Sequence, residues 1–150
     1  MTIYGIRGWF GSMVLPLRRY AQFKGRSGRR EFWLYSLFLT LGYAAIMCAA
    51  VVVAMAADEE NADTLIGWTV LAGWGLFFAV NFIPGIALTT RRLHDMGLSG
   101  ALLIVIFAGL ASLNVLGWLA YMVWMSLPPQ HGANRHGLPP GQGDVAEVFR

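Results

Sequence analysis

Three stretches, Phe32 to Ala57, Leu65 to Thr90 and Ala101 to Leu127, contain no Asp, Glu, Lys or Arg. Each exceeds the roughly 20 apolar residues that carry a helix across a bilayer core of about 30 Å. With 57% of residues hydrophobic and 13% charged, too little polar chain remains to cover three such helices in water. Lipid offers the backbone no hydrogen-bond partner, so the runs must satisfy their own N–H and C=O groups as helices. The expected fold class is an all-α integral membrane protein with three transmembrane helices, at about 32–57, 65–90 and 101–127. A basic segment, 1–31, precedes this transmembrane domain (32–127), and a Gly/Pro-rich tail, 128–150, follows it.

The charges lie where the helices meet water. Arg7, Arg18, Arg19, Lys24, Arg26, Arg29 and Arg30 precede the first run, and the loop after it carries Asp58, Glu59, Glu60 and Asp63 with no basic residue. Arg91 and Arg92 follow the second run. Short loops rich in Lys and Arg stay in the cytoplasm, so the N-terminus and RRLHD are expected inside and the acidic loop outside. Three straight crossings would leave the tail outside. The third run, however, holds Gly109, Ser112, Asn114 and Gly117 near its middle. A re-entrant or split third span would return the tail to the cytoplasm, provided protein covers its irregular backbone.

Local signals refine the ends. Trp9 to Phe23 mixes aromatic and aliphatic residues with Arg18 and Arg19 around Pro16, which reads as an amphipathic segment lying in the interface. Gly97 suits the left-handed residue that stops a helix, Ser99 can cap the next one, and Ser27 is a candidate cap for the first span. Pro84 is expected to kink the second span. Paired arginines and Ala54-Met55-Ala56 resemble an export signal, but the apolar run far exceeds the 7–15 residues of a signal core, so a retained anchor is expected. Cys48 lacks a second cysteine for an internal disulfide.

KGRSGRREFW at 24–33, FIPGIALTTRRLHDMGLSG at 82–100 and NRHGLPP at 134–140 stand in this order. Together they resemble the family catalogued as domain of unknown function 805, small bacterial inner-membrane proteins without an agreed biochemical function. The resemblance implies the bacterial inner membrane and a multi-pass fold. Where members often carry a proline followed by glycine in the third run, this chain has only glycines and Asn114.

The candidate site is the charged cluster Arg26, Arg29, Arg30, Glu31, Arg91, Arg92, His94 and Asp95, with Asn134 and Arg135 as additions from the tail. Two readings compete. In one, Glu31 pairs with Arg91 or Arg92 and Asp95 with Arg29 or Arg30, clamping the first two helices. In the other, surplus guanidinium charge at headgroup depth binds anionic phospholipid. If the helix runs to Asp95, Arg91, His94 and Asp95 share a face and Arg92 points about 100° away.

No catalytic residue is expected, because no nucleophile stands in a recognisable motif and adjacent His94 and Asp95 point apart. His94, His131 and His136 lack ligand spacing, so no metal or other cofactor is expected. Topology accounts for the arginines, and no nucleic-acid partner is expected. The functional expectation is a non-enzymatic accessory, scaffold or anionic-lipid-binding protein, with a homo-oligomer or membrane-protein partner. The alternative is a subunit of an oligomeric small transporter or channel.

Overall fold

A computed structural model describes residues 6–140, with the side chains of Ile6, Arg7 and Glu59 outside that description. Four helices follow one another: α1 (Ile6–Arg18), α2 (Arg29–Met55), α3 (Glu59–Asp95) and α4 (Leu103–Ser126), the last preceded by a 3₁₀ turn, Gly100–Leu102. Among the described residues three helices are long and apolar enough to cross a membrane, matching the three uncharged runs. α2 and α3 extend past their runs at charged ends, α3 most of all, because Arg91 to Asp95 continue it by another turn, whereas α4 stays within its run.

α2 and α3 form an antiparallel pair joined by a tight turn at Ala56 to Asp58. Edge-on Tyr43 against Trp74 and Phe77, and tilted Phe38 against Phe77, lock it along its middle, with Tyr35 stacked on Phe38 within α2. α1 lies against α2, with Trp9 and Phe10 exposed and Pro16 buried. Pro16 does not interrupt it. The ring sits inside the helix, near its C-terminal end. α3 likewise stays helical through Pro84, and the Asn81 amide donates to the Phe77 carbonyl at 2.8 Å, one turn back.

The third run does not cross as one straight rod. Asn114 has φ 49° and ψ −119°, a break inside α4. In a straight helix Gly109 and Gly117 would stand about 12 Å apart along the axis. Here a Cβ built on Gly117 would run into the Gly109 carbonyl oxygen, with the carbonyl carbon at 2.9 Å and Leu110 Cα at 3.2 Å. The chain has therefore doubled back into a hairpin whose arms touch backbone to backbone, which only glycine allows. Ile106 from one arm and Met125 from the other meet Phe32 of α2 and Leu88 and Leu93 of α3 in one core cluster. Both ends of α4 thus sit at the arginine-bearing end of α3, which is the alternative to a straight third crossing given for that run. Each arm of 11 or so residues reaches about 17 Å, near the middle of the bilayer core.

Candidate functional site

Returning the tail to the basic face builds a buried charge cluster from segments far apart in the chain. Arg91 and Arg92 close α3, Gly97 with φ 76° stops it, and Ser99 accepts a bond from the Ala101 N–H to start the next turn. Arg92, Arg91 and Asp95 are 0%, 1% and 1% exposed, and Arg26 is 7% exposed.

Asp95 is the hinge of the cluster. Its Oδ1 accepts from Arg26 Nε at 2.9 Å and its Oδ2 from Arg92 Nη1 at 2.5 Å. The expectation that Asp95 pairs with Arg29 or Arg30 is thus corrected. Those two open α2 and remain exposed, with the Arg30 guanidinium 5.0 Å from the Trp9 ring centroid, a cation–π contact. Arg92 diverges from Arg91 on the helix, yet its long side chain still reaches Asp95 one turn on. The Glu31 expectation holds: Arg91 Nη2 stands 3.2 Å from Glu31 Oε1. Ser27 is corrected too. It does not cap α2, whose N-cap is Gly28; its hydroxyl accepts from Arg91 Nε at 2.8 Å.

Further guanidinium N–H groups donate to backbone carbonyls. Arg92 donates to Met125 O at 3.0 Å and to Leu127 O, satisfying carbonyls that the end of α4 leaves without helical partners. Arg26 donates to Gln130 O at 2.8 Å, Gly132 O at 2.7 Å and Asp95 O at 3.3 Å, and Arg91 to Gln22 O at 2.6 Å. Among the described residues, no buried side-chain nitrogen or oxygen lacks a partner. Each buried charge here has hydrogen-bonded partners, the condition under which burying ions is tolerable. Residues 130–137 are part of the fold, wrapped around Arg26, and the end of α4 closes on Arg92.

His94 holds the tail from the other side. Its Nδ1 lies 3.2 Å from Gly25 O, its ring stacks on His136 at 3.7 Å and 5°, and Asn134 Nδ2 donates to its carbonyl at 2.9 Å. Asn134 therefore joins the cluster, while Arg135 stays exposed and contacts His136 Nε2. His94 lies beyond the apolar span. Burial pushes its pKa below the ordinary value, His136 and Arg135 push the same way, and the Gly25 carbonyl opposes them. A depressed imidazole favours the neutral form in the fold, so its contribution is complete above the usual pKa of about 6.5 and is lost as pH falls through the lower folded value. Backbone amides of 130–137 are expected to exchange hydrogen several-fold faster relative to α3 at pH 5 than at pH 7.5, after correction for intrinsic rates. Equal protection at both pH values would refute this latch.

The acceptors for Arg26, Arg91 and Arg92 are mostly backbone carbonyls, which have no sequence signature. The His94 and His136 stack was likewise illegible, because nothing in the spacing of the two histidines brings them together. Among the described residues no cluster of His, Cys, Asp and Glu is arranged to hold a metal.

Residues 20–138 match the family model described as Protein of unknown function (DUF805). The chain is 27% identical over 135 residues to Inner membrane protein YhaI of Escherichia coli (strain K12), covering 90% of this chain and 97% of YhaI. It is 29% identical over 130 residues to Inner membrane protein YhaH of the same strain, covering 83% of this chain and 91% of YhaH. No solved structure matches it. Helices fit to span a bilayer and relatives in the inner membrane agree with one another: the chain is a multi-pass inner-membrane protein and belongs to the DUF805 family of proteins of unknown function.

Proposed function

We propose that this protein is a non-enzymatic membrane scaffold whose basic face lies in the cytoplasm and gathers anionic phospholipid. One observation carries the reading. The buried arginines of the cluster are bonded within the chain, whereas Arg18, Lys24, Arg29 and Arg30 stay exposed around α1 and the start of α2. The cluster named from the sequence is thus divided between two tasks. Arg26, Glu31, Arg91, Arg92, His94 and Asp95 shape the platform, and the exposed cations meet the headgroups.

Trp9, Phe10, Tyr20 and Phe23 are exposed on the same segment and suit burial at the headgroup boundary. Each cation near an anionic surface contributes about 1 kcal/mol. The alternative, a subunit of a small transporter or channel, has less support, since such proteins usually place ionisable groups within their spans and the apolar runs contain no Asp, Glu, Lys, Arg or His.

The test compares wild type with a variant in which Arg18, Lys24, Arg29 and Arg30 are all glutamine. Lipid co-purifying in mild detergent should lose its enrichment in phosphatidylglycerol several-fold, with the thermal midpoint unchanged. Equal enrichment in both proteins would refute the proposal.

A further inference from the structure

The doubled-back α4 borders an open space that it shares with α2 and α3. Between α2, α3 and the first arm of the hairpin lies a cavity of about 310 Å³, within the range of small-molecule sites. Its α2 wall is a single helical stripe, Phe32, Ser36, Leu39 and Tyr43. That stripe rises about 16 Å, close to half of a bilayer core of about 30 Å. Phe78, Phe82 and Phe107 line the cavity and stay exposed, so it opens sideways at lipid depth. Phe32 against Tyr121, 5.8 Å between ring centroids, narrows the basic end.

The polar side chains in the walls, apart from the half-buried Tyr43 at the far end of the stripe, already have protein partners. The Tyr35 hydroxyl donates to Asn81 Oδ1 at 2.9 Å, Thr89 Oγ1 and the Tyr121 hydroxyl are 3.0 Å apart, and the Ser36 hydroxyl donates to the Phe32 carbonyl at 3.0 Å. No buried side-chain polar atom among the described residues awaits a ligand. Hydrocarbon is therefore the occupant this space fits, since apolar cavities stay dry. Arg29 stands one turn before Phe32 on the same stripe of α2, exposed at headgroup level. Charge at one end and an apolar slot leading away from it have the form of one anionic phospholipid.

We infer that the cleft between α2, α3 and the hairpin holds a single phospholipid, one of its two acyl chains along the Phe32 to Tyr43 stripe and its anionic headgroup at Arg29. The headgroup half rests on the reading of the basic face given above; the acyl-chain half does not.

Gly85 lines the cleft, and a Cβ added there meets nothing within 4 Å. Gly85→Phe therefore fills the slot without a backbone clash, and it replaces glycine inside a helix. The full chain is taken from vesicles of phosphatidylglycerol and phosphatidylethanolamine into mild detergent for native mass spectrometry. Wild type should carry one phospholipid that survives activation sufficient to strip the others. Gly85→Phe should lose it at an unchanged or raised thermal midpoint, and Leu39→Trp, filling from the α2 wall, should do the same.

Arg29→Gln should keep a lipid but lose the preference for phosphatidylglycerol several-fold. An adduct retained by both filled variants, or absent from wild type, overturns the site, as does a dimer that the filled variants dissociate. A wild-type preference retained by Arg29→Gln overturns the headgroup assignment alone. Loss of bulk phosphatidylglycerol enrichment in the four-cation variant, with no single adduct in wild type, would sink the cleft and leave the scaffold reading standing.

Discussion

A leucine at Gly117 should unmake the hairpin. The substituted Cβ would meet the Gly109 carbonyl and Leu110 Cα, backbone atoms of the facing arm that cannot swing aside as a flexible side chain could. The arms must separate, and with them the contacts of Ile106 and Met125 with Phe32 and Leu93. Overpacking at a site this rigid costs about 3 kcal/mol. Thermal unfolding in detergent should move down accordingly.

A labelling experiment follows the same change in topology, with single cysteines at Asn61, Ser99 and Ala133 in a Cys48→Ala background and an impermeant thiol reagent on intact cells. With the Gly117 hairpin intact, Ser99 and Ala133 should behave alike and opposite to Asn61. With Gly117→Leu, the Ala133 position should lose its match to Ser99 or the protein should fail to accumulate. Unchanged unfolding together with unchanged labelling would show that the arms do not close at Gly109 and Gly117. Asn114→Gly is the opposite case: φ is positive there, and relieving it should stabilise the protein by about 0.5–1 kcal/mol.

Asp95→Asn is expected to be more damaging than any other single change in the charge cluster. It removes the one carboxylate shared by Arg26 and Arg92, leaving two guanidinium groups in a site from which water is excluded. Stripping the partner from a buried pair costs about 3–5 kcal/mol. Because Arg26 also carries the bonds to Gln130 and Gly132, the tail should come away with it, and residues 128–138 should become open to protease. Glu31→Gln should cost about 1 kcal/mol, since Glu31 lies at the edge of the cluster and Arg91 keeps Ser27 and the Gln22 carbonyl. Combining Asp95→Asn with Arg26→Met should cost less than the sum of the two single changes, the signature of a direct pair. A strictly additive cycle, or a tail that stays protected in Asp95→Asn, would refute the wrapping.

How much was legible beforehand follows the range of the forces involved. Gly97 ends α3 and Ser99 starts the next turn as read, because a helix stop depends on one residue's backbone and a cap on a neighbour two residues away. The Glu31 and Arg91 pair was within reach because both lie at ends of adjacent helices. Asp95 was matched with the wrong arginines, since Arg26 and Arg29 are equally near in sequence and only the path of the chain through Ser27 and Gly28 decides which turns inward.

By itself, the sequence determined that the chain lives in lipid, which runs become helices and which ends carry the cations. Those follow from hydrophobic length and from the backbone's need for internal hydrogen bonds. What only the tertiary structure decided is whether the third run crosses or returns, which arginines are bonded inside the fold, and that residues 130–137 belong to the core of the basic face. Glycine, serine and asparagine in an apolar run permit either path locally. The outcome depends on whether the returning arm finds the Leu93 surface and the Arg92 donors waiting for its last carbonyls, and no local pattern encodes that meeting.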